Sequence, residues 1–316
     1  MISGRGKVMF IDTVHPVLQE VLESIGYKCE DFTNKSTKEI TPYLSEFQGV
    51  VIRSRFKFTK ELMLKASNLK FIARSGSGLE NIDVDFAKQQ NIKCFNSPEG
   101  NKDALGEHCI AMLLSLFNNI TKSHQQVSGG VWSREENRGV ELKGKTIGLI
   151  GYGVMGKSFA EKLSGFSVRV IAYDNNKTGF SSEIVKEVSM DVILEQCDVI
   201  SLHVDYVEDN YHMINANFIN SFKKNIYLLN TARGKCLNTP DLIAALKSGK
   251  VLGACLDVLE IESTDFQVDQ ASKSLLRELS ESKQILLSPH VGGWTTESYF
   301  KLSKVLADKI KGFTEN

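Results

Sequence analysis

The sequence has no C-x-x-C pair, no excess of either charge and no long apolar run, and each absence removes a class of function. Lysine plus arginine equal aspartate plus glutamate, 38 against 38. The charges are also spread, with no basic arm or acidic tail, so no overall field draws the chain to nucleic acid or to an anionic membrane. No apolar stretch approaches the ~20 residues that span a bilayer. No signal-peptide core precedes the first strand-like run in MISGRGKVMFID. The six cysteines, Cys29, Cys94, Cys109, Cys197, Cys236 and Cys255, sit mostly inside apolar runs, as small core residues do. Their spacing makes neither a zinc knuckle nor a thioredoxin-like pair. The expectation is a reduced, cytoplasmic protein with no metal, nucleic-acid or membrane partner.

What is present is alternation over a length, 316 residues, that suffices for two domains. The first half reads as strand KVMFID (7–12), helix Val17–Ser24, strand YKCED, helix Thr37–Phe47, strand GVVIRS (49–54), a helix capped by Thr59, strand LKFIAR (69–74), a helix capped by Asp83, and strand IKCFN (92–96). Repeated βα units predict a parallel sheet covered on both faces, here a flavodoxin-like domain. A long apolar helix, Asp103–Ile120, follows, with apolar residues on nearly every face around Ile110–Phe117. Such a helix is buried all round or covered in part by another chain. After a loop with Gly129, Gly130 and Trp132 come six further candidate strands: TIGLIG, VRVIAYD, VISLHV, IYLLNTA, VLGACLD and QILLS. Thr239 and Pro240 predict a helix start, with Thr239 as cap. A last helix, 295–311, returns to the first domain. The domain expectation is thus α/β throughout, two doubly wound parallel sheets. Residues 1–99 and 290–316 form a substrate domain, and 100–289 a dinucleotide-binding Rossmann domain.

The strongest local signal is GLIGYGVMGKSFAEKL. Gly151, Gly153 and Gly156 form G-x-G-x-x-G between a strand and a helix, and the next strand ends on an acidic residue, Asp174. Gly151 permits the tight turn, Gly153 lets backbone approach a pyrophosphate, and Gly156 lets the helix pack on the sheet. The helix N-terminus offers N–H groups and partial positive charge to phosphate. Asp174 can accept from the ribose hydroxyls and would repel a 2′-phosphate, so the cofactor expected is NAD.

Ligands bind at the C-terminal ends of the strands of such a sheet. Those ends carry Arg233 in NTARG, Asp257 and Glu262 in LDVLEIE, and His290 in SPHVGGW. Taken alone, His290 is open between strand-end packing and proton transfer. Together the residues make coherent chemistry for reducing a 2-oxo acid. An arginine holds the carboxylate, a histidine donates the proton, and a carboxylate orients and charges the imidazole. Glu260 is an alternative partner for His290, and Arg233 also reads as a plain surface charge. His203 reads as a strand-end residue near the cofactor and His212 as surface. His15, His108 and His124 show no partner in the sequence.

With ELKGKTIGLIGYGVMG, NTARG, LDVLEIE and SPHVGG in this order, and VIRS, LKFIARSGSGLENID and NSPEGN before them, the chain resembles the D-isomer-specific 2-hydroxyacid dehydrogenases over nearly its whole length. It most resembles the short D-3-phosphoglycerate dehydrogenases, which lack a regulatory domain. The resemblance implies a catalytic trio of Arg233, Glu262 and His290. It implies Val154 and Met155 on the pyrophosphate, Asp174 on the ribose, Thr231 and Ala232 along the nicotinamide, and Asp257 on its carboxamide. His203 and Gly292 join these as expected cofactor contacts. Ser77 and Gly78 would hold the substrate carboxylate through their amides, as a nest does, with Arg53, Ser54 and Asn101 completing the substrate side. Substrate would bind between the domains of a homodimer, with Arg134 reaching a phosphate across the dimer interface.

The chain departs from the family pattern at Asp205 in HVDY, at Ser263 after Glu262, and at Trp294. It also has a longer 262–290 segment, with an apparent extra helical piece over Val268–Ser280. The expected reaction is hydride transfer between NAD(H) and 3-phosphoglycerate/3-phosphohydroxypyruvate. Glyoxylate, hydroxypyruvate or D-lactate are alternatives within the class. An NADH-dependent corepressor resembling the C-terminal-binding proteins is the alternative from another class; those carry extra tails that this sequence does not show.

Overall fold

The computed structural model describes residues 4–263, 267–268, 270 and 272–315. These fall into two compact units, 1–101 with 294–316, and 102–293. The expected boundary at 290 would put His290 in the first unit. The structure puts it in the second, because its backbone N–H donates to the Asp257 carbonyl at 2.8 Å.

The first unit is a five-stranded parallel sheet. Its strands are β1 (Gly6–Phe10), β2 (Tyr27–Asp31), β3 (Gly49–Ile52), β4 (Phe71–Arg74) and β5 (Lys93–Phe95), in the order β2-β1-β3-β4-β5. Alternate residues feed two cores. Met9, Ile11, Val50, Ile52 and Ile72 face one side, while Val8, Phe10, Val51, Phe71 and Ala73 face the other. The second side is covered by helices Val17–Ser24 and Thr296–Glu315, the latter through Leu306, Ala307 and Ile310. Asp83 caps its helix by accepting from Phe86 N. Thr59 occupies the cap position of helix Lys60–Lys65 without a side-chain cap bond. The expected helix over 37–47 is a single α-turn, Thr37–Ile40, opened by a Ser36/Glu39 capping box and continued as a 3-10 turn, Thr41–Glu46.

The second unit is a seven-stranded parallel sheet. It comprises β6 (Thr146–Ile150), β7 (Arg169–Tyr173), β8 (Lys186–Glu187), β9 (Val199–Leu202), β10 (Ile226–Asn230), β11 (Val251–Leu256) and β12 (Ile285–Leu287), ordered β12-β11-β10-β9-β6-β7-β8. The order reverses between β6 and β9, which is where a doubly wound sheet opens a crevice. Both faces are buried. Ile150, Ile171, Ile200, Leu228 and Leu256 pack on one side, and Ile147, Leu149, Val170, Leu229 and Cys255 on the other.

Three expectations are corrected here. β8 is an additional two-residue edge strand. The apolar helix runs Lys102–Phe117, not to Ile120, because Asn119 takes a left-handed φ of 52° and starts a separate helix, Ile120–Ser128. The cap of helix Thr239–Lys247 is Asn238, whose side chain accepts from Asp241 N; Thr239 and Pro240 fill the first turn. The extra helical piece is helix Lys273–Glu281; part of the expected 268–280 span, at 269 and 271, lies outside the described residues. No helix among the described residues is long and apolar enough to cross a membrane.

Candidate functional site

The loop after β6 meets the requirements of a pyrophosphate cradle. Gly151 has φ +92°, and a Cβ there would lie 2.4 Å from the His203 carbonyl oxygen. A Cβ on Gly156 would lie 2.3 Å from the Gly151 oxygen, so helix Val154–Leu163 packs onto the turn only with glycine there. Gly153 is different: nothing lies within 4 Å of its ideal Cβ position. Two glycines close the turn and the third leaves open space beside backbone. Gly153 makes no side-chain cap bond, so the first N–H groups of the helix, Val154 and Met155, face that space uncapped. The residues fit a bound dinucleotide.

Asp174 follows β7. Its Oδ2 accepts from Tyr152 N at 2.7 Å and its Oδ1 from Asn176 N at 2.9 Å. The carboxylate therefore ties the glycine loop to the end of β7, with further lone pairs for ribose hydroxyls. Lys177 Nζ reaches the Tyr152 carbonyl at 3.4 Å. His203, at the end of β9, bonds through Nε2 to Ser201 Oγ at 2.9 Å and packs beside Phe159. Burial pushes its pKa down to about 3, so it stays a neutral packing group.

Arg233 stands in the turn after β10. The turn is shaped by fully buried Asn230, whose Oδ1 accepts from Ala232 N and whose Nδ2 donates to the Arg233 carbonyl, both at 3.1 Å. The Arg233 guanidinium donates to the Ala232 carbonyl at 2.7 Å. Thr231 and Ala232 are buried, and Thr231 Oγ1 lies 3.3 Å from Cys109 Sγ. At Gly234, a Cβ would sit 2.0 Å from the Leu259 carbonyl carbon, so the Arg233 turn and the loop leading to Glu262 touch backbone to backbone.

Glu262 and His290 do meet. Nδ1 of His290 is 3.1 Å from Glu262 Oε1, and the two side chains are only 23 % and 16 % exposed. Facing a carboxylate, Nδ1 carries the hydrogen and donates it. His290 is also one of few non-glycine residues with a positive φ, +56°. That conformation is costly for a side chain with a Cβ, and something must hold it.

Asp257 supplies the hold. It is 2 % exposed, and its Oδ1 accepts from Ser288 Oγ at 2.6 Å and Val291 N at 2.9 Å. Its Oδ2 accepts from Gly292 N at 2.8 Å, and its carbonyl takes His290 N. Burial alone would raise its pKa. Hydrogen bonds from His108, Ser288, Val291 and Gly292 outweigh burial and hold it at about 2. Asp257 thus grips the residues on both sides of His290. A Cβ on Gly292 would fall 2.8 Å from Asp257 Oδ2, so the grip also needs that glycine.

Three features corrected by the structure are not evident in the sequence. His108 has partners: Nε2 lies 3.0 Å from Ser288 Oγ and 3.4 Å from Asp257 Oδ1. His212 is half-buried and paired with Glu260, while His290 is bonded to Glu262. His15 receives Val17 N on Nδ1 and packs edge-on against Tyr299 and Phe300. Apart from Val17, two residues from His15, the partners lie tens to hundreds of residues away, so no local pattern shows them.

In the first unit, the expected substrate residues follow the C-terminal ends of β3 (Arg53, Ser54), β4 (Ser77, Gly78) and β5 (Asn101). Arg53 N donates to Asp12, and its guanidinium donates to Thr13 O at 3.3 Å and lies 4.3 Å from the Trp294 ring centre. Burial lowers its pKa, against the pull of Asp12. Ser77 Oγ donates to Asn101 Oδ1 at 2.7 Å. Arg74 braces both loops from beneath, with Nε on the Arg53 carbonyl at 3.0 Å and Nη1 on the Gly78 carbonyl. Ser54 lies half-buried next to Arg53.

The NAD-binding domain of the D-isomer-specific 2-hydroxyacid dehydrogenases matches residues 110–292. Hydroxypyruvate reductase of Thermotoga maritima is 34 % identical over 86 % of either chain. D-3-phosphoglycerate dehydrogenase of Archaeoglobus fulgidus is 31 % identical over 96 % of this chain, which spans 56 % of that protein. The solved D-lactate dehydrogenase of Aquifex aeolicus, in complex with NAD and lactic acid, superposes with a TM-score of 0.82 at 28 % identity over 98 % of this chain and 95 % of its own. A glycine cradle, an acidic β7 end and a histidine–glutamate pair on one sheet, together with these relatives, show that the chain belongs to the NAD-dependent D-isomer-specific 2-hydroxyacid dehydrogenase family.

Proposed function

We propose that this chain interconverts 3-phosphoglycerate and 3-phosphohydroxypyruvate, a D-2-hydroxy acid and its 2-oxo acid. The observation that carries a hydroxyacid reaction is the His290–Glu262 contact, held in place by Asp257 at the rim of the dinucleotide sheet. When bound, NAD supplies the acceptor or donor of the hydride. Val154 and Met155 amides hold its pyrophosphate, Asp174 its ribose, and Thr231, Ala232, His203 and Gly292 its flanks. Asp257 has one acceptor position on Oδ2 left for a carboxamide N–H. Arg233 grips the substrate carboxylate by a two-pronged contact. Glu262 keeps the proton of His290 on Nδ1, which leaves Nε2 as the nitrogen that exchanges a proton with the substrate oxygen. The Glu262 charge stabilises the imidazolium that results. In the first unit, Ser77 and Gly78 offer the amide nest, while Arg53, Ser54 and Asn101 read the rest of the substrate. A phosphate is favoured by the Arg53 cation among the expected substrate residues, 4.3 Å from the Trp294 ring centre.

Hydroxypyruvate or glyoxylate reduction is the second reading. It is favoured by the Thermotoga relative, which matches this chain over most of both lengths. A panel of 3-phosphohydroxypyruvate, hydroxypyruvate, glyoxylate and pyruvate, followed by NADH absorbance, separates the two. The phosphorylated acid is expected to give the highest kcat/KM. A tenfold preference for any unphosphorylated acid transfers the assignment to it. No turnover at all, with a protein partner bound only in the presence of NADH, removes the enzymatic reading.

The protein is further proposed to be a cytoplasmic homodimer, with all six thiols free. Ile120, Val127, Val131 and Trp132 are 54 %, 51 %, 51 % and 80 % exposed within one short stretch, an apolar area that a monomer leaves to water. Trp132→Glu is expected to shift the mass measured by light scattering from dimer to monomer. A mutant that remains dimeric moves the interface elsewhere.

A further inference from the structure

A second histidine–glutamate pair lies two residues from the first. The Glu260 carboxylate is bonded through Oε1 to His212 Nε2, and through Oε2 to Thr239 N at 3.2 Å and Thr239 Oγ1 at 2.9 Å. Asn238 fixes the tautomer of His212. Its Oδ1 is occupied by Asp241 N, so its Nδ2 donates to His212 Nδ1 at 3.2 Å. The ring hydrogen is therefore on Nε2, aimed at Glu260. The imidazole is stacked on Tyr211 with ring centres 3.9 Å apart, and its backbone N–H donates to Lys235 O at 3.0 Å. Burial pushes the Glu260 pKa up, but the bonds from His212 and Thr239 outweigh it and leave it lowered.

The pair joins segments beyond β9, β10 and β11 at one carboxylate. Glu260 is the anchor of the loop that ends in Glu262. Among the described residues, Glu262 N reaches back to Leu259 O at 3.2 Å, Glu262 bridges to Val268, and Ser263 N donates to Gln267 O at 2.8 Å. Backbone contact at Gly234 sets where the loop starts, and the Glu260 bonds set its rotation.

We propose that Glu260, docked on His212 and Thr239, is a positioning residue that aims the Glu262 carboxylate at His290. It also removes from the site a competing carboxylate two positions from the working one. The inference rests on the reading of Glu262–His290 as the acid/base pair, and the test separates the two. With the best substrate of the panel, Glu260→Ala is expected to lower kcat about tenfold, with KM and the NADH Kd within about twofold, as coupling between neighbouring sites of this strength implies. In a Glu262→Gln background the same substitution is expected to cost less than about twofold, because the group it positions is gone. His212→Ala should reproduce part of the loss while leaving the Thr239 bonds, which guards against a Glu260 variant that fails to fold. His212→Gln, whose amide donates from the place of Nε2, should restore it. A Glu260→Ala loss that persists in full without the Glu262 carboxylate, or no loss at all, overturns the positioning role. A Glu262→Gln enzyme as fast as the parent overturns the acid/base pair itself.

Discussion

His290→Ala is expected to lower kcat/KM by ~10²–10⁴, the usual cost of removing a general acid/base, while NADH titrated by fluorescence still binds. The separation follows from the geometry. The cradle at Gly151, Gly153 and Gly156 is shaped by glycines, His203 O and Tyr173 O, whereas the imidazole is bonded to Glu262. His290→Asn is the sharper variant. Its backbone tolerates the +56° φ better than most residues, so the loop keeps its path while the proton donor is lost. Glu262→Gln should fall between the parent and these two, since it retains a hydrogen-bond acceptor but no charge. An alanine or asparagine enzyme with undiminished turnover would return His290 to the packing role that its strand-end position also allows.

Asp257→Asn is expected to cost both stability and turnover. Four donors converge on one buried carboxylate, and an amide cannot accept from all of them; its own N–H₂ must face a donor. Hydrogen bonds to a buried charge are worth ~1.5–3 kcal/mol each, so a loss of about 3 kcal/mol, or roughly 6–12 °C in Tm, is the expected scale. The pH dependence gives a second signature. The folded carboxylate sits at about 2, below its ordinary 3.8. Its contribution is therefore complete above the ordinary value and is lost as pH falls toward 2. About 2 kcal/mol disappears across that window. Plotted against pH, the parent Tm should drop there more steeply than that of Asp257→Asn. Parallel acid limbs, or an asparagine enzyme with parental Tm and kcat, would mean that Asp257 does not hold the His290 loop.

Much of this was legible in the residues because it is periodic. Strands buried on both faces read as apolar runs, and the helices between them force parallel pairing, so both sheets follow from alternation. The glycine loop was legible because each glycine has a backbone reason to be there. Where expectation failed, the signal was too short or too distant. β8 is two residues at an edge, Lys186 and Glu187, with no apolar run to mark it. Asn238 and Thr239 are both good caps, and only geometry shows that Asn238 does the capping. A left-handed Asn119 ends a helix that the apolar pattern would have continued. His108 and Ser288 are 180 residues apart, and His212 and Glu260 are 48 apart. Only the folded sheet makes either pair neighbours, which is why a lone histidine in the sequence looked idle.

The first unit is built from two separate stretches of sequence, which has a consequence for biosynthesis. Residues 102–293 are contiguous, so all seven strands of the second sheet are on hand once that stretch has left the ribosome. The other sheet emerges earlier, yet one of its faces has only helix Val17–Ser24 over it until helix Thr296–Glu315 arrives to pack Leu306, Ala307 and Ile310 into the same cluster. A nascent chain halted before that helix would present this apolar face to chaperones, while its nucleotide-binding half was already complete.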